Sequence, residues 1–277
     1  MLNYDLTPAR CVLPLYFNFL MIDHDIGQWN NLSRGSEALV QERGPIGFSS
    51  DFDRAMLESQ RAFFMIQDLS AGRDCFLAEP QWRALFKAGK RSSDNSVPCI
   101  SLRNQLCDFL VDLPGLTSNI TAFVARVSAA PEQDYRAHAL SLLSRVMSFK
   151  HDFELWYQVN IDVLHQSDSP FWSHPKPRDY PERIASGLTA HPHYQGVLSA
   201  VLYCISNSIL IQLDKLIISV QQACKSGDGP YLFKVNKETY VQQQRRARRA
   251  FNFVKGRSNV ASKPLAHGLR QFWSQDE

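Results

Sequence analysis

A chain of 277 residues with 44% apolar content can form one large domain or two small ones around a sizeable core, so disorder is not the default expectation. Its 30 basic and 27 acidic residues leave a formal charge of +3, which excludes a global field drawing the chain toward nucleic acid or an anionic membrane. Any such partner would need a local patch, and the best candidate is RRARR at 245–249. Arginines all around a helix usually mark a solvated surface, with nucleic-acid contact as the minority alternative.

The first predicted element is a buried helix over residues 11–26. The apolar run CVLPLYFNFLMI at 11–22 is too short to span a bilayer and contains Pro14. Apolar side chains on most sides of this segment indicate a core helix, and Gly27 is a natural stop. We therefore expect this helix to lie at the centre of the fold, with no membrane association.

Two further helices are predicted before residue 70. One has Leu32, Gly35 and Leu39 on a single face and ends at Arg43-Gly44-Pro45, in the order expected of a helix C-terminus. Ser50 can cap the next helix. Spacings of three and four predict that its apolar stripe is formed by Phe52, Met56, Ser59, Phe63 and Ile66.

The rest of the chain continues the helical pattern around two loops. The loops are predicted at 87–98 and, rich in proline, at 167–182. Helices are predicted at 100–112, 116–128, 133–165, 195–225 and 236–254, followed by a terminal one containing PLAHGLRQFW. No alternating strand pattern and no strict repeat is found. We predict an all-α fold in which residues 1–277 form a single helical domain of packed antiparallel helices.

The cysteines and the known cofactor motifs point away from metal and cofactor chemistry. No two of the six cysteines form a C-x-x-C pair, which disposes of a zinc ribbon, a zinc cluster and a thioredoxin-type motif. The start, MLNYDLTPAR, lacks the features of a signal peptide, so we expect reduced, buried cysteines in a cytoplasmic or nuclear protein. No glycine-rich phosphate loop, H-E-x-x-H or G-x-S-x-G is present. We expect no cofactor and no metal.

Four segments, taken in order, resemble a known family. They are RGSEALVQERGP at 34–45, LCDFLVDLPGL at 106–116, HDFELWYQ at 151–158 and KPLAHGLRQFW at 263–273. Together they are similar to the C-terminal helical regulatory domain of fungal zinc-cluster transcription factors. The resemblance implies an α-helical domain that follows a six-cysteine DNA-binding cluster and senses metabolites or partners. Because that cluster is absent from this sequence, we expect no direct sequence-specific DNA binding by that module.

His24, in the stretch LMIDHDIGQW, is the candidate catalytic residue. Helical spacing places it on the face of Leu20 and Phe17, with Tyr16 two turns away as a possible phenolic donor. Asp23 and Asp25 point to other sides of the helix, but their charges favour the protonated form of the His24 ring, whereas burial disfavours it. Histidine is the usual proton-transfer group near neutral pH, and the alternative is a polar cap at the end of a core helix.

Other residues are candidates for substrate binding. Arg61 could hold an anionic phenolate, as could Arg43. A planar phenolic or polyketide-like ligand could stack on aromatic side chains, although most large aromatics at helical spacing belong to the core. These candidates are Trp29, Trp156, Tyr157, Phe171 and Trp172. HPHY at 191–194 could suggest a metal, but a helix-start loop is the better interpretation because no third ligand is apparent nearby.

Two functional hypotheses follow from these residues and the resemblance. The first is a cofactor-independent isomerase or cyclase of fungal secondary metabolism, closing a ring on a phenolic or polyketide-like enone as in chalcone isomerisation, with His24 moving the proton. The second is a transcriptional regulatory or co-regulatory protein without its own DNA-binding domain, which would be nuclear. The helical scaffold serves both, since function depends on the site and not on the fold.

Overall fold

The computed structural model describes residues 26–89, 98–130, 134–162, 196–224 and 235–258, together with 262, 265, 266 and 269. No strand occurs among these residues, and the all-α prediction is confirmed. The helices are α1 (Ile26–Arg43), α2 (Asp51–Ala71), α3 (Pro80–Gly89), α4 (Pro98–Leu110), α5 (Leu113–Ala129), α6 (Arg136–Asn160), α7 (Val197–Ala223) and α8 (Lys237–Arg257), with short 3-10 helices at Pro45–Phe48 and Phe76–Ala78.

The predicted helix signals around Gly44 and Ser50 are confirmed. Gly44 has a positive φ of 68° and donates its N–H to the Val40 carbonyl, and Pro45 opens the 3-10 helix that follows. The Ser50 hydroxyl accepts the Asp53 N–H at 3.1 Å and caps α2. Gly27, in contrast, lies inside α1 and does not end a helix.

The predicted apolar faces of α1 and α2 are both wrong. Gly35 and Leu39 are exposed in α1, and the predicted α2 stripe is exposed at Phe52 and only half-buried beyond it. The core side of α1 is instead formed by Ser33, Ser36, Glu37 and Val40, and that of α2 by Leu57, Gln60, Arg61, Phe64, Met65, Gln67, Asp68 and Leu69. Both core faces carry polar and charged side chains, which a search for apolar stripes passes over.

Helix α7 occupies the centre of the described fold. It packs against α4, α5, α6 and α8, and most of its side chains are buried. By length and composition α7 could cross a membrane, but 72% of its most apolar window is buried by the surrounding protein, as in a core helix. Residues 11–25, predicted to be central, lie outside the described residues.

The later helices begin and end close to the predicted positions, apart from α6, which ends at Asn160 and not at 165, and from the first predicted loop. Residues 87–89 belong to α3 and Pro98 begins α4, so the predicted loop at 87–98 is too long at its start. The loop at 167–182 lies outside the described residues, as does most of the predicted terminal helix. Buried side chains from α1 to Leu269 form one contiguous hydrophobic core.

The cysteine prediction is confirmed in part. Cys75, Cys107 and Cys204 are buried free thiols, and burial raises the pKa of each. Cys224, at the end of α7, is exposed, contrary to the expectation of burial. The side chains of Cys11 and Cys99 lie outside the described part of the chain.

Candidate functional site

A tight turn at Gly72, directly after α2, positions the side chain of Arg73. Gly72 adopts the left-handed conformation, with φ at 64°. Its N–H donates to the Leu69 carbonyl at 3.3 Å, and the next N–H, of Arg73, donates to the Asp68 carbonyl at 3.1 Å. This conformation is readily accessible to glycine and strained for residues with a Cβ. The turn brings the Arg73 side chain back alongside Asp68.

Glu37, Asp68 and Arg73 form a buried carboxylate–arginine cluster. Arg73 Nε donates to Asp68 Oδ1 at 2.6 Å, and Arg73 Nη2 donates to Glu37 Oε2. The Asp68 side chain is fully buried and that of Glu37 is 5% exposed, whereas the guanidinium of Arg73 reaches solvent with 43% of its side chain exposed. One cation therefore serves two buried carboxylates that α1 and α2 hold side by side.

Burial dominates the protonation of this cluster. It raises the pKa of Asp68 and of Glu37, and the charge of Asp68 raises the pKa of Glu37 further. Hydrogen bonds from Arg73 and the Cys75 thiol partly oppose these shifts. Burial and the neighbouring Asp68 raise the pKa of Cys75 far above neutrality, so its sulfur is a protonated thiol and not a nucleophile.

An open cleft of about 860 Å³ lies directly over this cluster. Its walls come from α1, the connection between α2 and α3, α5 and α6. The floor is apolar and includes Cys75, Phe76, Val111, Leu116 and Phe149. A polar rim above an apolar floor is the usual layout of a ligand-binding cleft.

The rim of the cleft has an excess of acidic side chains. Asp74, Glu79, Asp112 and Asp152 line it beside Glu37, whereas the basic lining residues are Arg73 and Arg145. The Asp74 carboxylate approaches α5 closely at Gly115, where a Cβ would lie 3.0 Å from Asp74 Oδ1. The cleft is therefore suited to a ligand that carries positive charge or several hydrogen-bond donors.

A second, apolar cavity is too small to hold a substrate. It is lined by Met65, Leu69, Leu110, Ile205 and Leu269 among others, and its volume of about 30 Å³ is close to that of a single water molecule. An aromatic enone needs a pocket roughly ten times larger. Within the described ranges, no group of three or more His, Cys, Asp or Glu side chains could hold a metal ion.

Three of the predicted site residues, Tyr16, Asp23 and His24, lie outside the described residues. Trp29 lies in α1, and its side chain is also outside the described part of the chain. The proposed pairing of His24 with a phenolic donor therefore stays a prediction.

The structure places Arg61 in the core, away from the cleft. Its side chain is 3% exposed, Nη2 donates to Asp108 Oδ1 at 2.7 Å, and the guanidinium carbon lies 3.9 Å from the centre of the Phe86 ring. These contacts join α2 to α3 and α4. Arg43 is the other predicted phenolate-binding residue, and its guanidinium carbon lies 4.9 Å from the ring centre of Phe48.

Trp156 and Tyr157 are adjacent on α6 but contact different helices. Trp156 Nε1 donates to Gln105 Oε1 on α4 at 2.9 Å. The Tyr157 hydroxyl is buried against α7, where it accepts from Asn207 Nδ2 at 3.1 Å. Both are packing residues in the described structure, and neither lines the cleft.

The cleft and its cluster were missed at the level of sequence, although a signal is present. Ser33, Glu37 and Val40 are spaced by four and three, and Gln60, Phe64 and Asp68 by four and four, so each carboxylate falls on a core-facing row. A charged residue on the buried row of a helix is the feature to look for. The partner Arg73, beyond the helix end, follows only from the turn at Gly72.

Replacing Arg73 with methionine is expected to lower the free energy of unfolding by about 2 kcal/mol at pH 7, a value discounted for the exposure of the guanidinium. The variant removes the guanidinium that pairs with the buried carboxylates of Glu37 and Asp68, so ionising them inside the fold becomes more costly. Because the pKa of each is already raised, the folded state binds protons more readily than the unfolded state, and acidification to about pH 5 should reduce the loss. Urea denaturation at both pH values measures the effect.

The matched control for this prediction is Arg83→Met. Arg83 pairs with Asp112, but both side chains are about one-third to one-half exposed, so its loss should stay below about 1 kcal/mol and change little with pH. Equal losses in the two variants, or a loss in Arg73→Met that does not depend on pH, would contradict the buried-cluster interpretation.

Part of the chain is similar to a longer fungal protein. An uncharacterised protein of Emericella nidulans is 35% identical over 92 residues, which cover 32% of this chain and 20% of that protein. The matched region is therefore a small part of a longer fungal protein. No protein-family model matches the chain, and no solved structure matches it.

Proposed function

We propose that this chain is a helical regulatory module that recognises a ligand or partner bearing positive charge through the acid-rich cleft. The observation that carries the proposal is an open cleft with an acid-rich rim, next to the buried carboxylates of Glu37 and Asp68. Such a site suits reversible recognition, because its rim is accessible to solvent and the carboxylates of Glu37 and Asp68 are held in place by Arg73. The resemblance to fungal regulatory domains points in the same direction.

The experiment that tests ligand recognition compares classes of small molecules by their charge. Thermal unfolding of the chain is measured with panels of cationic amines, anionic acids and neutral phenolic enones. We expect cationic compounds to raise the melting temperature and the other classes to leave it unchanged, since binding to the folded state alone stabilises it by mass action. Stabilisation by neutral enones alone would contradict the proposal.

Cleft variants connect this response to the site. Asp74→Asn combined with Asp152→Asn should abolish stabilisation by the cationic compounds. The matched control is Glu42→Gln combined with Asp134→Asn, which removes the same charge from exposed positions outside the cleft. If the control variant loses the response as completely as the cleft variant, binding depends on net charge and not on the cleft.

The regulatory role itself is tested by tethering. The full chain is fused to a heterologous DNA-binding domain in a fungal host, and transcription from a matching reporter is compared with that of the DNA-binding domain alone. We expect the fusion to change reporter output, and the Asp74→Asn, Asp152→Asn variant to change it differently from the control variant. An output equal to that of the DNA-binding domain alone in all fusions would contradict a regulatory function.

The isomerase or cyclase hypothesis is kept as a second proposal. It is supported by His24 in the sequence, the residue type best suited to proton transfer near neutral pH. The described cleft has no histidine in its lining, so this chemistry would use a separate site formed around His24. Its test is the His24→Ala experiment described in the Discussion.

A further inference from the structure

Positive charge is concentrated in a single helix, α8. This helix carries seven basic side chains and one acidic side chain within 21 residues. The other 256 residues of the chain contain 23 basic and 26 acidic residues, so the chain outside α8 is net acidic. The formal charge of the whole chain, +3, hides this separation. A local positive field of this kind acts on partners at the surface of α8 and not elsewhere.

Helix α8 has a buried side and an exposed side, and most of its basic side chains lie on the exposed side. Gln243, Ala247, Ala250 and Val254 are buried, and α8 packs extensively along α7. Arg246 turns toward α6 and lies 3.8 Å from Asp162 Oδ1. The side chains of Arg245, Arg248, Arg249 and Lys255 are exposed and form what we call the basic face of α8.

Ion pairing within the protein does not account for the basic face. Among the described residues, Arg245, Arg248 and Arg249 form no ion pair with a carboxylate. Arg245 lies three and four residues before the other two, a spacing at which like charges on a helix repel. From Arg245 to Lys255 the face extends roughly 15 Å along the helix axis. The arrangement costs the isolated chain some stability, which an anionic partner would offset.

The surroundings of the basic face select the kind of anion. The exposed large apolar residue of α8 is Val241, one turn before the arginines, and the aromatic residues Tyr240, Phe251 and Phe253 pack against the core. Protein partners usually need an apolar or aromatic anchor, and single-stranded nucleic acid needs exposed aromatics on which bases stack. A duplex backbone needs neither, because its phosphates are bound by arginine and lysine with polar neighbours such as Gln242 and Asn252.

We propose that the basic face of α8 binds the phosphate backbone of duplex DNA without reading its sequence. Among the described residues, α8 packs along α7 and leaves the basic face exposed, where its long arginine and lysine side chains can reach backbone phosphates. Contacts are therefore made to phosphates by Arg245, Arg248, Arg249 and Lys255. The proposal is independent of the cleft and adds a second contact surface to the regulatory module.

The test measures binding of the full chain to fluorescent DNA duplexes of two unrelated sequences, by anisotropy at salt concentrations from about 50 to 200 mM. The variant Arg245→Gln, Arg248→Gln, Arg249→Gln is compared with Lys87→Gln, Arg126→Gln, Arg136→Gln. The second set removes the same charge from exposed positions outside α8. Circular dichroism confirms that all three proteins are equally helical.

We expect the wild type to bind both duplexes equally and more weakly as salt increases. The α8 variant should bind at least about tenfold more weakly, with a salt slope smaller by about 3, one for each lost phosphate contact. The control variant should stay close to the wild type. Absence of wild-type binding at the lowest salt, an equal loss in the control, or tighter binding to duplex RNA or an acidic peptide than to DNA would overturn the proposal.

Discussion

Replacing Lys150 with methionine is expected to lower the free energy of unfolding by about 3 kcal/mol at neutral pH, the cost of leaving a buried charge without its partner. Lys150 Nζ on α6 lies 2.6 Å from Asp214 Oδ1 on α7, the central helix. The Asp214 side chain is 2% exposed, so water cannot replace the lost ammonium group. Burial already raises the pKa of Asp214, and the hydrogen bond and charge of Lys150 partly oppose that shift. Chemical denaturation of the purified proteins measures the difference.

The double variant Lys150→Met, Asp214→Leu provides the control. It removes both charges and fills the site with apolar groups, so its stability should return to within about 1 kcal/mol of the wild type. Lys150 also lies 3.5 Å from Glu154 Oε1, a half-exposed carboxylate. If Glu154→Gln costs as much as Lys150→Met, or if the double variant is as unstable as Lys150→Met, the loss does not come from an uncompensated Asp214.

Replacing His24 with alanine is expected to lower turnover by roughly two to four orders of magnitude if this residue transfers the proton in a ring closure. The fold should remain largely intact, because proton transfer and packing are separate contributions. If His24 is only a polar helix cap, the same change should cost about 1 kcal/mol of stability and leave activity unchanged. The measurement combines thermal unfolding with a substrate-conversion assay on phenolic enones.

The matched control for this experiment is His151→Ala, which changes an exposed histidine on α6. It should leave both turnover and stability close to the wild type. A stable His24→Ala protein with full activity would end the catalytic hypothesis and support the cap. Equal loss of turnover in the two variants would show that the assay does not report on His24.

Part of the candidate site can be predicted from the sequence. Glu37 and Asp68 lie on core-facing helical rows that can be found by their spacing, so their burial is predictable in principle. Their proximity to each other depends on how α1 packs against α2, and their shared cation depends on the turn at Gly72. The contact between Arg73 and Glu37 joins residues that are 36 positions apart, a long-range relation that local spacing does not encode.

The chemistry of the predicted substrate-binding residues fits more than one role. Arg61, Trp156 and Tyr157 have side chains suited to binding a phenolic ligand, but in the structure all three join helices. An arginine with an aromatic neighbour suits a phenolate and suits a buried helix contact equally well. Only the identity of the surrounding helices distinguishes the two roles.

The sequence by itself determined the all-α class, the end of α1 near Gly44, the start of α2 after Ser50, and the approximate bounds of α4 to α8. These features depend on local chemistry: the backbone freedom of glycine, hydrogen bonding by a capping hydroxyl, and helical periodicity. Only the tertiary structure decided which faces of α1 and α2 are buried, that α7 is central among the described helices, and that a cleft forms over Glu37, Asp68 and Arg73. The physical reason is that burial is a property of neighbouring helices, so a charged side chain can occupy a core face when a distant residue supplies its partner.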